Sequence, residues 1–243
     1  MNVCEEVIPY GQLPVFIKET EKLKSYLAGL SYEQVKNIWR CNDKIAGLNY
    51  ERLQQMNLRE RLTPAVLAYE GLQYQHLAPH IFSEKQWRYV SEHLVILSGF
   101  YGMLRATDGI TPYRLEMQAL IEMKGETMIT DLYQFWGDAL YRKLTKSDDF
   151  ILNLASKEYS KVIEKHLDSE IRFVSCVFGE ETEVKGKKKV KVKGTLAKMA
   201  RGEMVRYLAE QGIQEPEGIK AFSALNYRYS EEYSDDKNYV FLC

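Results

Sequence analysis

Stretches with helical spacing of apolar residues and short strand-like runs follow one another along this chain without a repeating βαβ unit. That irregular order is the tightest constraint on the fold, because a doubly wound parallel sheet is built from the repeat. The spacing predicts a helix over Tyr32–Arg40 behind Ser31, and a second over Glu84–Leu97 behind Ser83, with Trp87, Val90 and Leu94 on one stripe. A third is predicted over Asp131–Leu144 behind Thr130, carrying Leu132, Phe135, Trp136, Ala139 and Leu140 on one face. A fourth, Thr195–Glu210, gathers Leu196, Met199, Ala200, Met204, Tyr207 and Leu208 and stops at Gly212. Strands are predicted at Phe150–Leu154, Ile171–Phe178, Val190–Lys193 and Tyr239–Leu242, the Val/Lys alternation of the third reading as a solvated edge. No internal repeat divides the 243 residues, and 45% apolar side chains suffice for a sizeable core. The expectation is one α+β domain over residues 1–243, a central sheet flanked by helices.

The densest polar-aromatic stretch runs from Leu97 to Met117 and reads as a long structured loop, the kind of segment that carries function more often than regular elements do. Arg105 and Arg114 could grip an anion through planar donor forks, with Asp108 and Glu116 holding the forks in place and Tyr113 beside them. The alternative is a buried ion-pair network that only orders the loop. A second polar stretch leaves the Phe150–Leu154 strand: Ser156, Glu158 and Tyr159 could contact a ligand, and Ser156 could equally cap a short helix.

Charge offers a different site. The 33 basic and 34 acidic residues leave a formal net charge of −1, so any polyanion contact must be a local patch. Nine basic residues lie between Val184 and Arg206 (Lys185, Lys187, Lys188, Lys189, Lys191, Lys193, Lys198, Arg201 and Arg206), against the single acid Glu203. Lys187–Lys189 beside Gly186 reads as an exposed hairpin turn, and Lys198, Arg201 and Arg206 project opposite the apolar stripe of the following helix. Such a run is also what a merely solvated face looks like. Further upstream, Ile45-Ala46-Gly47-Leu48 between two helical patterns matches the corner of a helix-hairpin-helix, where backbone N–H groups can face a phosphate, with Lys44, Asn49 and Arg52 nearby. Many ordinary helix corners share that pattern.

Several classes are excluded. No apolar run approaches membrane-spanning length, and the start, Met1 to Glu6, has neither basic nor apolar regions of a signal peptide. Cys4, Cys41, Cys176 and Cys243 form no CxxC pair, which suits a reducing compartment, so a cytoplasmic protein without membrane contact is expected. His76 and His80 have ligand spacing but flank the helix-breaking Pro79, while His93 and His166 stand alone. No nucleophile elbow, phosphate loop or dinucleotide glycine pattern occurs. Neither metal nor cofactor is expected, and no reaction is defined by the residue types.

Read together, these segments resemble one family, the peroxide-stress proteins also called YaaA or UPF0246. The resemblance rests on Asp43–Asn49, Leu97–Arg105, Pro112–Met117, Leu132–Asp138, Asn153–Tyr159 and Lys198–Gly202, in family order and across most of the chain. It implies an α+β cytosolic protein with a basic cleft and a helix-hairpin-helix, associated with DNA binding and with protection against peroxide by limiting free iron. Family sequences usually open with a short apolar strand ending in a Ser-Pro-Ala-Lys-like turn, and this chain is expected to begin just after that point.

Two functions follow. One is a DNA-associated stress protein that binds duplex with little sequence preference through Lys44, Gly47, Asn49, Arg52, Lys191, Lys193, Lys198, Arg201 and Arg206. The other is a binder or enzyme for a small anionic ligand, phosphorylated or nucleotide-like, with Arg105, Asp108, Tyr113, Arg114, Glu116, Ser156, Glu158 and Tyr159 as pocket candidates.

Overall fold

The computed structural model describes residues 1–3, 9–125, 127–184 and 186–243, so Cys4, the acids beside it and Lys185 lie outside the described residues. The helices are α1 (Ile17–Ala28), α2 (Tyr32–Trp39), α3 (Asp43–Gln55), α4 (Ala65–Ala68), α5 (Leu72–Leu77), α6 (Glu84–His93), α7 (Leu132–Trp136), α8 (Ala139–Leu144), α9 (Lys157–Glu164), α10 (Gly194–Gln211) and α11 (Pro216–Ile219). The strands are β1 (Thr63–Pro64), β2 (Val95–Ser98), β3 (Gly102–Arg105), β4 (Gly109–Ile110), β5 (Leu120–Lys124), β6 (Met128–Asp131), β7 (Phe150–Asn153), β8 (Arg172–Val184), β9 (Lys187–Lys191), β10 (Arg228–Tyr229) and β11 (Asn238–Leu242). The chain is mixed α/β, and it divides into two compact units.

The first unit comprises Met1–Tyr69, Val95–Lys146 and Ala155–Leu167. Its strands come in pairs: β1 with β4, β2 with β3 and β5 with β6, all antiparallel. Ser31 caps α2 in a reciprocal box with Gln34, as its position before the helical pattern predicts. Three predicted features differ here. The Leu97–Met117 stretch opens as the β2–β3 hairpin, Ser98 opposite Gly102, before becoming loop. The long helix over Asp131–Leu144 is two short ones, because Gly137 turns the chain at φ +51°, and Asp131 rather than Thr130 caps the first by accepting the Gln134 N–H at 2.7 Å. The glycine corner is not a corner: residues Asp43–Gln55 form one helix, with Gly47 inside it. Asn42 starts that helix by accepting the Ile45 N–H at 3.0 Å, and Ala46, Asn49 and Leu53 form its buried stripe. The turn falls earlier, at Arg40 (φ +46°), three residues being enough to join α2 to α3.

The second unit comprises Glu70–Leu94, Ser147–Leu154 and Asp168–Cys243. Its sheet has the order β10-β11-β8-β7, with β9 on the far half of β8. The strand β8 runs parallel to β7 and β11 and antiparallel to β9, so the sheet is mixed. Val174, Cys176 and Phe178 alternate inward along β8 and meet Ala197, Ala200, Met204 and Leu208 of α10, with Phe222, Tyr227 and Phe241 closing the core. The helix α10 buries more than its predicted stripe: Gly202, Val205 and Ala209 are also covered. Gly202 lies against α5, where an added Cβ would stand 2.1 Å from the Gln73 carbonyl oxygen. Ser83 caps α6 as predicted, but that helix ends at His93 and Val95–Ser98 is strand. Lys187–Lys189 belong to β9 itself, and Gly186 (φ +73°) makes the turn.

Two glycine substitutions separate these packings. Gly202→Ala drives a methyl into backbone and is expected to lower stability by about 2 kcal/mol or more, at the upper part of the range for overpacking. Gly47→Ala meets nothing within 4 Å on a helix and is expected to raise stability by ~0.5–1 kcal/mol. Urea denaturation of the full chain reads both, and a destabilised Gly47→Ala protein would contradict the continuous α3.

Candidate functional site

In the first unit the segment from Thr111 to Ala119, between β4 and β5, is held at several points. The Tyr101 hydroxyl accepts the Thr111 N–H at 3.1 Å. Ser98 Oγ accepts the N–H groups of Phe100 and Tyr101 at 3.2 and 2.8 Å, so its own proton is left for Tyr113 Oη at 2.7 Å. Tyr113 Oη in turn lies 2.5 Å from Tyr69 Oη, and its ring stacks on Phe100. The hairpin comes this close because Gly99 has no side chain: a Cβ there would stand 2.6 Å from the Leu115 carbonyl oxygen. Gly102 (φ +72°) likewise lets the turn lie on Trp136, whose indole N–H donates to Gly99 O at 3.0 Å.

The polar groups of the site follow from that seating. Arg114 Nη2 donates to Glu116 at 3.0 Å and reaches the Trp39 carbonyl at 3.5 Å. The Gln118 N–H donates to Glu158 Oε1 at 3.3 Å, and the Tyr133 hydroxyl donates to the Glu158 carbonyl at 2.8 Å. Burial pushes the Glu158 carboxyl above its ordinary range; the Glu116 charge adds to this, while the Gln118 and Met117 main chain opposes it. Burial, then Glu158 and Glu116, raises the Tyr159 phenol, and burial, then Tyr69, raises that of Tyr113 well above its ordinary value. Trp39, Arg114, Glu116 and Gln118 line a cavity of about 130 Å³, with Ile38, Arg40 and Ala119 completing the wall.

Of the eight pocket candidates, Tyr113, Arg114, Glu116, Glu158 and Tyr159 are linked around this loop. Ser156 stands at the start of α9 but its hydroxyl caps no backbone N–H. Arg105 and Asp108 serve a turn instead: the buried Asp108 carboxylate accepts the Arg105 main-chain N–H at 2.9 Å and Gln12 Nε2 at 3.0 Å. Trp39 and Gln118 were not legible as site residues. Val35 and Trp39 are spaced as a core stripe on α2, and nothing in sequence brings them to Arg114.

The basic residues are more occupied than their number suggests. Asn49 Nδ2 donates to Ile45 O at 2.8 Å, and Gly47 is helical. Arg52 is half-buried in the last turn of α3. In the second unit, Lys193 pairs with Glu180 at 2.7 Å and Arg206 with Glu210 at 2.8 Å. Arg201 is half-buried; burial lowers its pKa while the nearby Cys176 opposes the shift, and its Nε has no partner among the described residues. Lys44, Lys191 and Lys198 are exposed, with no carboxylate in ion-pair range among the described residues. Three His, Cys, Asp or Glu side chains placed to hold a metal are not found among the described residues, nor is a helix long and apolar enough to cross a membrane.

A mixed α/β chain with a loop site of arginine, carboxylates and phenols is thus what the residues build. Comparison with known proteins places it: the family model described as peroxide stress protein YaaA matches residues 2–233. A UPF0246 protein of Lachnoclostridium phytofermentans is 52% identical over 98% of this chain and 90% of its own length. One from Desulfitobacterium hafniense is 47% identical over 100% of this chain and 94% of its own, and one from Lactiplantibacillus plantarum is 41% identical over 100% and 95%. The chain belongs to the YaaA (UPF0246) peroxide-stress family.

Glu158 gives this site a pH signature. Its folded-state pKa is raised, so its ionisation opposes folding: the associated stability is present below the unfolded pKa and lost as pH rises through the folded value. The Glu158→Gln protein is therefore expected to match wild type near pH 4 and to gain on it towards pH 7.5 in urea titrations. A difference that does not change with pH would show that the carboxyl is not held above its normal range.

Proposed function

We propose that the protein serves the peroxide-stress response through a small anionic molecule bound at the β4–β5 loop of the first unit. Arg114 is the anion contact, and Glu158 is the group able to exchange a proton. The observation that carries this reading is the convergence of Arg114 and Glu116 on a cavity beside Glu158, whose carboxyl burial shifts towards neutrality. Arginine beside raised carboxyl and phenol groups suits anion gripping with acid/base work better than it suits duplex readout. The role served is the limiting of damage by iron: ferrous iron reduces peroxide to hydroxyl radical, which attacks DNA.

A second reading is duplex DNA binding. The exposed Lys191 and Lys198 of the second unit favour it, being free of carboxylate partners among the described residues. Two phosphate contacts would give a log–log salt slope of about −2, since each contributes ~0.9.

Complementation separates the two. In cells lacking the protein and challenged with hydrogen peroxide, Arg114→Lys is expected to lose most of the protection at normal protein levels. The Lys191→Ala/Lys198→Ala double variant is expected to protect like wild type. The reverse pattern, joined to loss of the salt-dependent duplex binding in the double variant, would replace the small-ligand reading with the second.

A further inference from the structure

Two residues that line one cavity of the first unit carry buried hydrogen-bond donors with no acceptor among the described residues. Trp39 is 5% exposed, and its indole Nε1–H is sealed from solvent without a partner among the described residues; Arg114 Nε is sealed and unpartnered among them in the same way. Both residues line the cavity of about 130 Å³. Buried donors are nearly always paired, so two unpaired ones on residues of the same cavity mark a place where an acceptor belongs.

The structure also holds a template for that acceptor. Arg114 Nη2 is taken by the Glu116 carboxylate at 3.0 Å, while the Glu116 side chain is 47% exposed and lightly held at the rim. We propose that the cavity binds the carboxylate of a small organic acid, which takes the place of Glu116 on Arg114 and accepts from Trp39 Nε1 and Arg114 Nε. Both nitrogens are buried, so the guest reaches them as Glu116 gives up Arg114 and moves outward. The displaced carboxylate then stays in water, where its exposure already holds it.

With Glu116 displaced, Arg40 and Arg114 leave the site cationic, as an anionic guest requires, and volume narrows that guest. The volume is close to that of cavities of ~150 Å³ that admit a benzene-sized guest. Ile38 and Ala119 give a short hydrocarbon tail its apolar wall. This assignment rests on the reading of an anionic ligand at Arg114 and names its class.

The test uses the full chain, nitrogen-15 labelled, with sodium butyrate as probe, inorganic phosphate as comparison and sodium chloride as ionic control. The chain has 3 tryptophans, so the indole N–H of Trp39 is identified as the signal lost in Trp39→Phe. Butyrate is expected to move that signal downfield and saturably, leaving Trp87 and Trp136 in place. By calorimetry, Trp39→Phe and Arg114→Lys should weaken butyrate at least tenfold. Glu116→Ala should tighten it severalfold, because the internal competitor is gone and an exposed rim substitution leaves the fold intact. Absence of a saturable Trp39 shift with butyrate, or a Glu116→Ala protein that binds it no better, overturns the proposal. Saturation by phosphate in place of butyrate overturns the carboxylate class alone. Failure of both probes, together with full peroxide protection by Arg114→Lys, removes the anionic-ligand reading as well.

Discussion

At Gly99 the β2–β3 turn passes so close to Leu115 and Glu116 that any side chain would collide with their main chain. With that approach made, Ser98 meets Tyr113, Tyr101 meets Thr111, and the loop from Thr111 to Ala119 becomes a fixed object. Only then does Arg114 lie against the end of α2, and the loop's far end against the start of α9. The site is therefore a product of backbone contact first and of side-chain chemistry second. Tyr113 illustrates the order: its hydroxyl is saturated by Ser98 and Tyr69 within the fold, so it braces the site.

Desolvation decides what the remaining groups can do. Glu158 keeps two main-chain contacts yet is raised by burial and by the Glu116 charge, which brings its proton closer to the neutral range. Arg201 shows the same penalty acting on a cation, half-buried beside Cys176. Surface cations behave differently. Lys193 and Arg206 lie on acids a short way along the chain or across the ribbon, where exposed pairs of this kind contribute little to stability. Their pairing matters more for what it removes from the basic surface than for what it adds to the fold.

Much of the local structure was legible in the residues. The Ser31 and Ser83 caps, the stop at Gly212 and the alternation of Val174, Cys176 and Phe178 are short-range patterns that the fold reproduces. The fold departs from these patterns where one residue overrides a periodic run. Gly137 split a regular helical stripe, and the Ile45–Leu48 corner dissolved into α3 because Asn42 supplied the cap and Asn49 satisfied its own amide inside the helix. At the site, the sequence grouped Arg114, Glu116, Glu158 and Tyr159 by residue type. It also grouped Arg105 and Asp108 with them, and these instead close a turn with Gln12.

The sequence by itself determined the family, the mixed character of the fold and the identity of most polar groups at the loop, because motifs and periodicities are local. Tertiary structure alone decided that Trp39 belongs to the site, that the run of basic residues is partly neutralised, and that Glu158 is desolvated. Those properties depend on which atoms exclude water from which others. That exclusion is set by contacts such as Gly99 on Leu115 and Gly202 on Gln73, between residues far apart in the chain.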